Sequence, residues 1–434
     1  MFPKHFTPPS HTAFQALQRF SLVSEWLYNR PITWDRSTWQ PKITPREKLA
    51  IWCFLSLIVV SFATYAVFIL LRQLVSYQKD PDVSIVVGIF IILGSSGFTV
   101  AVSILLTETF KIDEFHVMLT FLRKFQALSA QPSDLFGLFL HGFILAIITP
   151  PLTGCTLPIL APKMDPTYLW FRNVSLISNR LKIILRSTVL CISILHACSE
   201  LFGFAIIATN AILTLNVCLN GGKIGDMRAK FVTNSQIISN LRRYRQLQIF
   251  SSVVNLVLSY ILPVGVSLTF LCMVLMGYFL IKMTHMVPYT VTFCLSSVFA
   301  TLLVGGVAIL PRMANIGANS AHFLRYWKLQ RVSRYLSREL KSFRCLRLDL
   351  GHFGYMKKAS KILKNGSSLT ILSGGTLKKF SSPFLTGNVK KLYEHHPAGG
   401  RDEPVATIDE AWFRVDDHNG TRSICCALWR SCTN

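Results

Sequence analysis

Six stretches of this chain are too long, too apolar and too poor in charge to be core helices of a water-soluble protein. Crossing about 30 Å of hydrocarbon takes about 20 mostly apolar residues in a helix. Residues 50–71, 83–106, 249–281 and 291–310 contain no charged side chain. Residues 135–160 carry only His141, and residues 183–215 carry Arg186, His196 and Glu200. Charged residues make up 15% of the chain, against about 25% in soluble domains. Residues 1–49 hold seven Lys or Arg and no apolar run of signal-peptide type, so the first span itself is expected to target the chain. The predicted fold class is an all-α, polytopic transmembrane helical bundle of about six spans.

Charge sets the expected orientation. Lys and Arg collect on the cytoplasmic side of membrane proteins. With the N-terminus inside, segments 1–49, 107–134, 216–248 and 311–365 face the cytoplasm and carry 29 Lys and Arg, against 8 in 72–82, 161–186 and 282–290. The net charge of +24 is therefore read as topology and as attraction to anionic membrane lipid. Nucleic acid is not the expected partner. The chain divides into a cytoplasmic segment (1–49), a six-span bundle (50–310), a basic amphipathic linker (311–365) and a polar tail (366–434) expected to be disordered.

Local features refine this picture. Phe14, Leu17, Phe20, Leu22, Trp26 and Leu27 suit a short amphipathic helix lying on the membrane surface. Gly94-Ser95-Ser96-Gly97 and Gly305-Gly306 suit close helix packing. Pro150-Pro151 and Pro158 predict a third span that is helical to residue 149 and irregular beyond it. Residues 249–281 would be about 50 Å long as one helix, with an inner end projecting through residues 241–247. Leu329, Val332, Leu336, Leu340 and Phe343 form one apolar stripe of a basic helix over 322–344, packed on the membrane face or on a partner helix.

Chemistry-bearing residues are few. His196 and Glu200 stand four apart, on one helix face, near the middle of the fourth span. Ionisable groups inside a membrane are costly and mark function by default. The pair can bond mutually and tie helices together, bind a polar ligand, or gate. His141 is a weaker candidate of the same kind. Asn173-Val174-Ser175 is a glycosylation sequon in a loop expected outside; the sequons at Asn365 and Asn419 fall inside. The eleven cysteines are scattered without CxxC spacing, so no metal site is expected. His395-His396 and Cys425-Cys426 are read as chance composition. There is no P-loop, dinucleotide fingerprint or GxSxG, so no cofactor and no enzyme activity is expected.

Three stretches together resemble the arthropod gustatory/odorant chemoreceptor superfamily. They are Pro31-Ile32-Thr33-Trp34-Asp35 ahead of the first span, Asn240-Leu241-Arg242-Arg243-Tyr244-Arg245-Gln246-Leu247-Gln248 leading into the fifth, and the basic run 331–351 ending Leu346-Arg347-Leu348-Asp349-Leu350-Gly351. The resemblance covers roughly residues 10–360. It implies a seven-helix plasma-membrane subunit with its N-terminus inside, assembling as a homo- or hetero-tetramer of related subunits into a ligand-gated cation channel. It also implies a small-molecule chemical ligand in the outer halves of the helices, a cytoplasmic anchor from the inner ends of spans four to six, and a last helix lining the pore. The sequence departs from the family there. The family's Thr-Tyr, five apolar residues and Gln-Phe are missing after residue 345, and Thr64-Tyr65 and Thr167-Tyr168 lie in other elements. The expectation is a subunit that lacks the last helix and cannot form a pore alone. A transporter is the alternative, given midplane ionisable residues but no internal repeat. A G-protein-coupled receptor is a further one, without its Asp-Arg-Tyr or Asn-Pro-x-x-Tyr motifs.

Overall fold

The structure, a computed structural model, describes residues 12–77, 80, 83–128, 135–160, 162, 165, 167–171, 178–224, 234–286, 289–329, 334–349, 369–373 and 376–380. Among them, six helical segments are long and apolar enough to cross a membrane. They are α2 (Ala50–Val75), α3 (Ile85–Phe110), the broken pair α5 (Leu135–Ala146) and α6 (Thr149–Leu160), α8 (Asn179–Ile224), α9 (Asn234–Lys282) and α10 (Tyr289–Leu329). Burial is inverted, as lipid requires. Ile51, Phe54, Leu57, Phe68 and Leu71 of α2 are exposed, while Arg30, Glu108, His196 and Glu200 are buried. The protein is a polytopic α-helical membrane protein.

The third span breaks at Ile147-Ile148 and then resumes. Pro150 and Pro151 fall in the first turn of α6, where a missing N–H costs nothing. The part beyond the break is therefore a second helix rather than an irregular segment. The glycines of α3 also act differently from expectation. A Cβ at Gly94 or Gly97 would meet nothing within 4 Å, and the close packing is made by Ser95 and Ser96, both buried.

Three helices outrun the bilayer. α8, α9 and α10 have 46, 49 and 41 residues, about 69, 74 and 62 Å. Their surplus projects from the end of the bundle richest in Lys and Arg, the basic end. The amphipathic helix α4 (Ile112–Leu128) packs there against α9 and α8. It buries Phe115, Met118, Leu119, Leu122 and Phe125 at helical spacing. The first part of the basic stripe ends α10 at Leu329, Val332 lies outside the described residues, and α11 spans Arg334–Ser342. Leu336, Leu340 and Phe343 pack into the projecting bundle, whereas Leu329 is exposed.

The amino-terminal segment enters the bundle instead of lying flat on lipid. Helix α1 (Ala13–Leu27) is capped by Thr12, whose hydroxyl accepts from Gln15 N–H at 3.3 Å. It buries Ala13, Ala16, Leu17, Phe20, Ser21 and Ser24 on one face, while Trp26 stands exposed. A hairpin follows, β1 (Ile32–Asp35) and β2 (Gln40–Ile43), antiparallel from Ile32↔Ile43 to Asp35↔Gln40. Asp35 closes its turn by accepting from Ser37 N–H and Oγ–H and from Lys42 Nζ. These bonds, Lys42's first, hold the exposed carboxyl well below the usual carboxylate range. A second antiparallel hairpin pairs β3 (Leu369–Ser373) with β4 (Thr376–Phe380). The rest of the tail, where the missing seventh span was expected, lies outside the described residues.

One glycine makes the approach of α1 to α8 possible. A Cβ at Gly203 would lie 2.1 Å from Phe20 Cζ and 2.8 Å from Arg30 Nη1. Phe20 is itself buried, so its ring has no free space to enter. Gly203→Ala is expected to cost about 1–3 kcal/mol by overpacking, read as a lowered melting midpoint in detergent. Gly305→Ala is the control, because its Cβ meets Phe139 at an ordinary 3.5 Å. Equal midpoints for the two variants would refute the packing argument.

Candidate functional site: a buried polar cluster at the basic end

Helix α1 stops at Tyr28, which is extended and donates its backbone N–H to Ser24 O. Two residues later comes Arg30, with Pro31 opening the hairpin. The hairpin closes on this residue: Thr44 Oγ1 donates to Arg30 O at 2.6 Å, and Thr44 N–H donates to Pro31 O at 2.9 Å. Glu25 ties α1 to the hairpin by accepting from Trp34 N–H at 3.0 Å. The Arg30 guanidinium is thereby aimed into the bundle.

There it meets two carboxylates from two spans. Arg30 Nη2 donates to Glu108 of α3 at 2.9 Å and also to Glu200 of α8. Trp52 of α2 donates its indole N–H to Glu200 Oε1 at 3.1 Å. Burial opposes the charge on Arg30, but Glu108 and Glu200 more than offset this and hold the guanidinium above its ordinary pKa. Phe20 lies under it, 5.3 Å from ring centroid to Arg30 Cζ.

His196 completes the cluster one turn away. Ser56 Oγ–H donates to Trp52 O at 2.7 Å, so Ser56 Oγ is left to accept from His196 Nε2–H at 3.1 Å. Nδ1 then accepts from the Tyr28 hydroxyl at 2.7 Å. For a neutral imidazole this is the Nε2–H tautomer. Burial, with Glu200 alongside, pushes the Tyr28 phenol up, so it keeps the proton it donates.

Among the described residues His196 and Glu200 do not bond mutually; each binds the amino-terminal segment and α2. Nor do they lie at midspan. Glu200 is 21 residues from the start of α8, about 32 Å along the helix, which is a full bilayer thickness. It sits level with Trp52, near the start of α2, and with Glu108, near the end of α3. The ionisable groups therefore lie level with the basic ends of α2 and α3. The adjoining cavity, lined by Ser21, Ser24, Glu25, Arg30, Trp34 and Glu108 among others, has a volume of about 30 Å³. That suits one or two waters; organic-ligand pockets run to about 300 Å³ or more.

His141 stands apart from this cluster. Its Nδ1–H donates to Gly137 O at 2.7 Å, one turn back on the same helix, which fixes the tautomer. Asn173 lies outside the described residues. Sequence reasoning missed Tyr28, Arg30 and Glu108. It also missed a second buried pair at the opposite end. There Arg186 Nε donates to Asp165 at 2.8 Å, its Nη2 donates to Pro162 O at 2.9 Å, and Tyr168 lies against it. Trp170 of the short helix α7 (Tyr168–Phe171) packs on Phe62 and Tyr65 beside this pair.

No protein-family model matches the sequence, and no curated protein sequence matches it. Among solved structures, the insect olfactory receptor OR5 from Machilis hrabei in complex with eugenol is similar, with a TM-score of 0.56 and 11% identity. The match covers 79% of this chain and 92% of that one. A further structure of that receptor matches at a TM-score of 0.49, 10% identity, and 76% and 87% coverage. At such identity the likeness concerns architecture, and the chain has the membrane-helical receptor fold seen in an insect olfactory receptor.

Proposed function

We propose that this chain is a chemosensory receptor subunit of the ligand-gated cation-channel type. It would act in the plasma membrane, within a homo- or hetero-tetramer of related subunits. The observation that carries the proposal is the shared fold along 92% of a receptor solved with eugenol bound. The Lys and Arg bias of 29 against 8 supports a cytoplasmic N-terminus, with the basic end inside and Asn173 outside. A small organic ligand would then bind toward the opposite end of the spans. The cluster of Tyr28, Arg30, Trp52, Glu108, His196 and Glu200 would clasp the amino-terminal segment to the bundle. His141 is assigned to helix packing. The sequence has no Thr-Tyr and Gln-Phe stretch after residue 345, so the subunit is proposed to conduct only beside related subunits.

The test is cation current under a panel of small organic compounds, eugenol included. Cells express the chain alone, a related subunit alone, or both, with surface delivery checked by label. Evoked current in the pair, with a ligand profile absent from the related subunit alone, is the expected result. If the paired cells respond no differently from the related subunit alone while the chain is at the surface, the receptor reading fails.

A further inference from the structure

The third and fourth spans meet in an unusually close crossing. A Cβ placed on Gly154 of α6 would stand 2.4 Å from Ile194 Cδ1 of α8. Ser187 of α8 donates its hydroxyl to the Cys155 carbonyl. Cys191 lies on the same face of α8, one turn beyond Ser187 and one turn before Ile194, which turns its thiol toward Cys155. Both thiols are free and only half buried.

We propose that Cys155 and Cys191 are a reversible thiol–disulfide pair that fastens α6 to α8. A disulfide needs facing Cβ atoms and Cα atoms about 5.5–6 Å apart, and few helix pairs approach so closely. Here Gly154 lets the backbones approach, and the Ser187–Cys155 bond fixes the register that sets one thiol against the other. The two S–H bonds break, one S–S bond forms, and two protons and two electrons leave. The electrons go to a disulfide oxidant such as glutathione disulfide, which is reduced to two thiols. Exchange begins when either thiolate attacks that oxidant, and the neighbouring thiol resolves the mixed disulfide.

The position gives the bond a consequence. Helix α6 joins α5 through only Ile147 and Ile148, so its place in the bundle depends on α8. Oxidation would lock that contact, and reduction would free α6 to shift as a unit. The natural oxidant rests on the proposed orientation, which turns this half of the bundle toward an oxidising compartment. The chemistry of the pair does not.

The experiment uses the full chain in detergent, reduced, desalted and then incubated with glutathione disulfide. Remaining thiols are blocked with N-ethylmaleimide before digestion and mass spectrometry. A peptide pair linking Cys155 to Cys191 is expected, lost with dithiothreitol and absent in Cys155→Ser and Cys191→Ser. Oxidation should raise the melting midpoint of the wild-type chain and leave that of either variant unchanged. Recovery of both cysteines as maleimide adducts overturns the proposal. So do stable glutathione adducts without a cross-link, or equal yields of Cys155 linked to other cysteines. The wild-type measurement stands even if a variant fails to fold. It is also independent of ligand-evoked current, so failure of the receptor reading would leave it intact.

Discussion

Replacing Arg30 by alanine is expected to be among the most damaging single changes in the protein, costing about 3–5 kcal/mol. The side chain lies almost wholly buried between Glu108 and Glu200, which are 3% and 0% exposed. Removing it leaves two carboxylates in a low-dielectric site, with the Trp52 indole the one other donor that the described contacts give to either. The damage should come from those stranded charges more than from the lost contacts. A neutral triple variant, Arg30→Met with Glu108→Gln and Glu200→Gln, therefore separates the causes. It strands no charge and should recover much of the loss, because buried ion triads replaced by neutral groups are often nearly neutral in stability. Melting midpoints of the purified protein decide the matter. Arg30→Ala melting within about 1 kcal/mol of the wild type, or the triple variant falling below Arg30→Ala, would refute the clasp. Protease access to residues 12–49 gives a second readout, since the clasp is what ties that segment to the spans.

Much of this fold was legible because lipid imposes blunt rules. Long apolar runs, four of them free of charge, located every span, and the length of residues 249–281 correctly implied one projecting helix. A break near Pro150-Pro151 was visible too, but two prolines side by side mark either a stop or a start. The choice of start depends on packing between α6 and α8. The site was half legible. His196 and Glu200 were conspicuous as ionisable residues in an apolar run. Their depth was not, because a helix of 46 residues offers several windows of bilayer length. Glu108 sits just beyond a charge-free run and reads as an ordinary flanking acid. Arg30 lies in a segment with six other cations, and nothing local separates the one that turns inward. A scarcity argument supplies the missing signal. With only 21 acids in the chain, each acid next to a span needs a basic partner, and a hairpin-forming stretch nearby can deliver one. Helix α4 was missed for a different reason. Its buried face is written at the same spacing as a surface helix, and only the surplus length of α8 and α9 creates something for it to cover.

Tyr244→Ala is expected to release the chain that follows α11, again at a cost of about 3–5 kcal/mol. The ring is 1% exposed, stacks on Phe323 with centroids 5.1 Å apart, and meets Phe343 edge-on at 5.4 Å. Its hydroxyl is the middle of a directed series. Leu346 N–H donates to Ser320 Oγ at 2.7 Å, Ser320 donates to Tyr244 at 2.7 Å, and Tyr244 donates to Arg344 O at 2.8 Å. The direction follows from counting protons, since the carbonyl can only accept and the tyrosine has one hydrogen to give. Beyond it, Gln248 and Asn255 donate to Arg344 O and Arg347 O at 2.9 and 2.8 Å. The eleven residues from 244 to 255 rise about 17 Å as helix, and the five from 344 to 349 span about 17 Å when extended. This match lets an extended strand lie along one stripe of α9 with its carbonyls in register. Tyr244→Phe keeps the ring and removes the hydroxyl, so it should cost less, about 1–3 kcal/mol for the partners left unpaired. Hydrogen exchange at the Leu346 amide reads the difference directly: strong protection in the wild type, partial loss in the phenylalanine variant and full loss in alanine. Tyr335→Ala, at an exposed position on α11, should leave both stability and exchange unchanged. Undiminished protection of Leu346 in Tyr244→Ala would mean that Gln248 and Asn255 hold the segment without the ring. The projecting bundle would then be fastened along its polar stripe and not at its aromatic core.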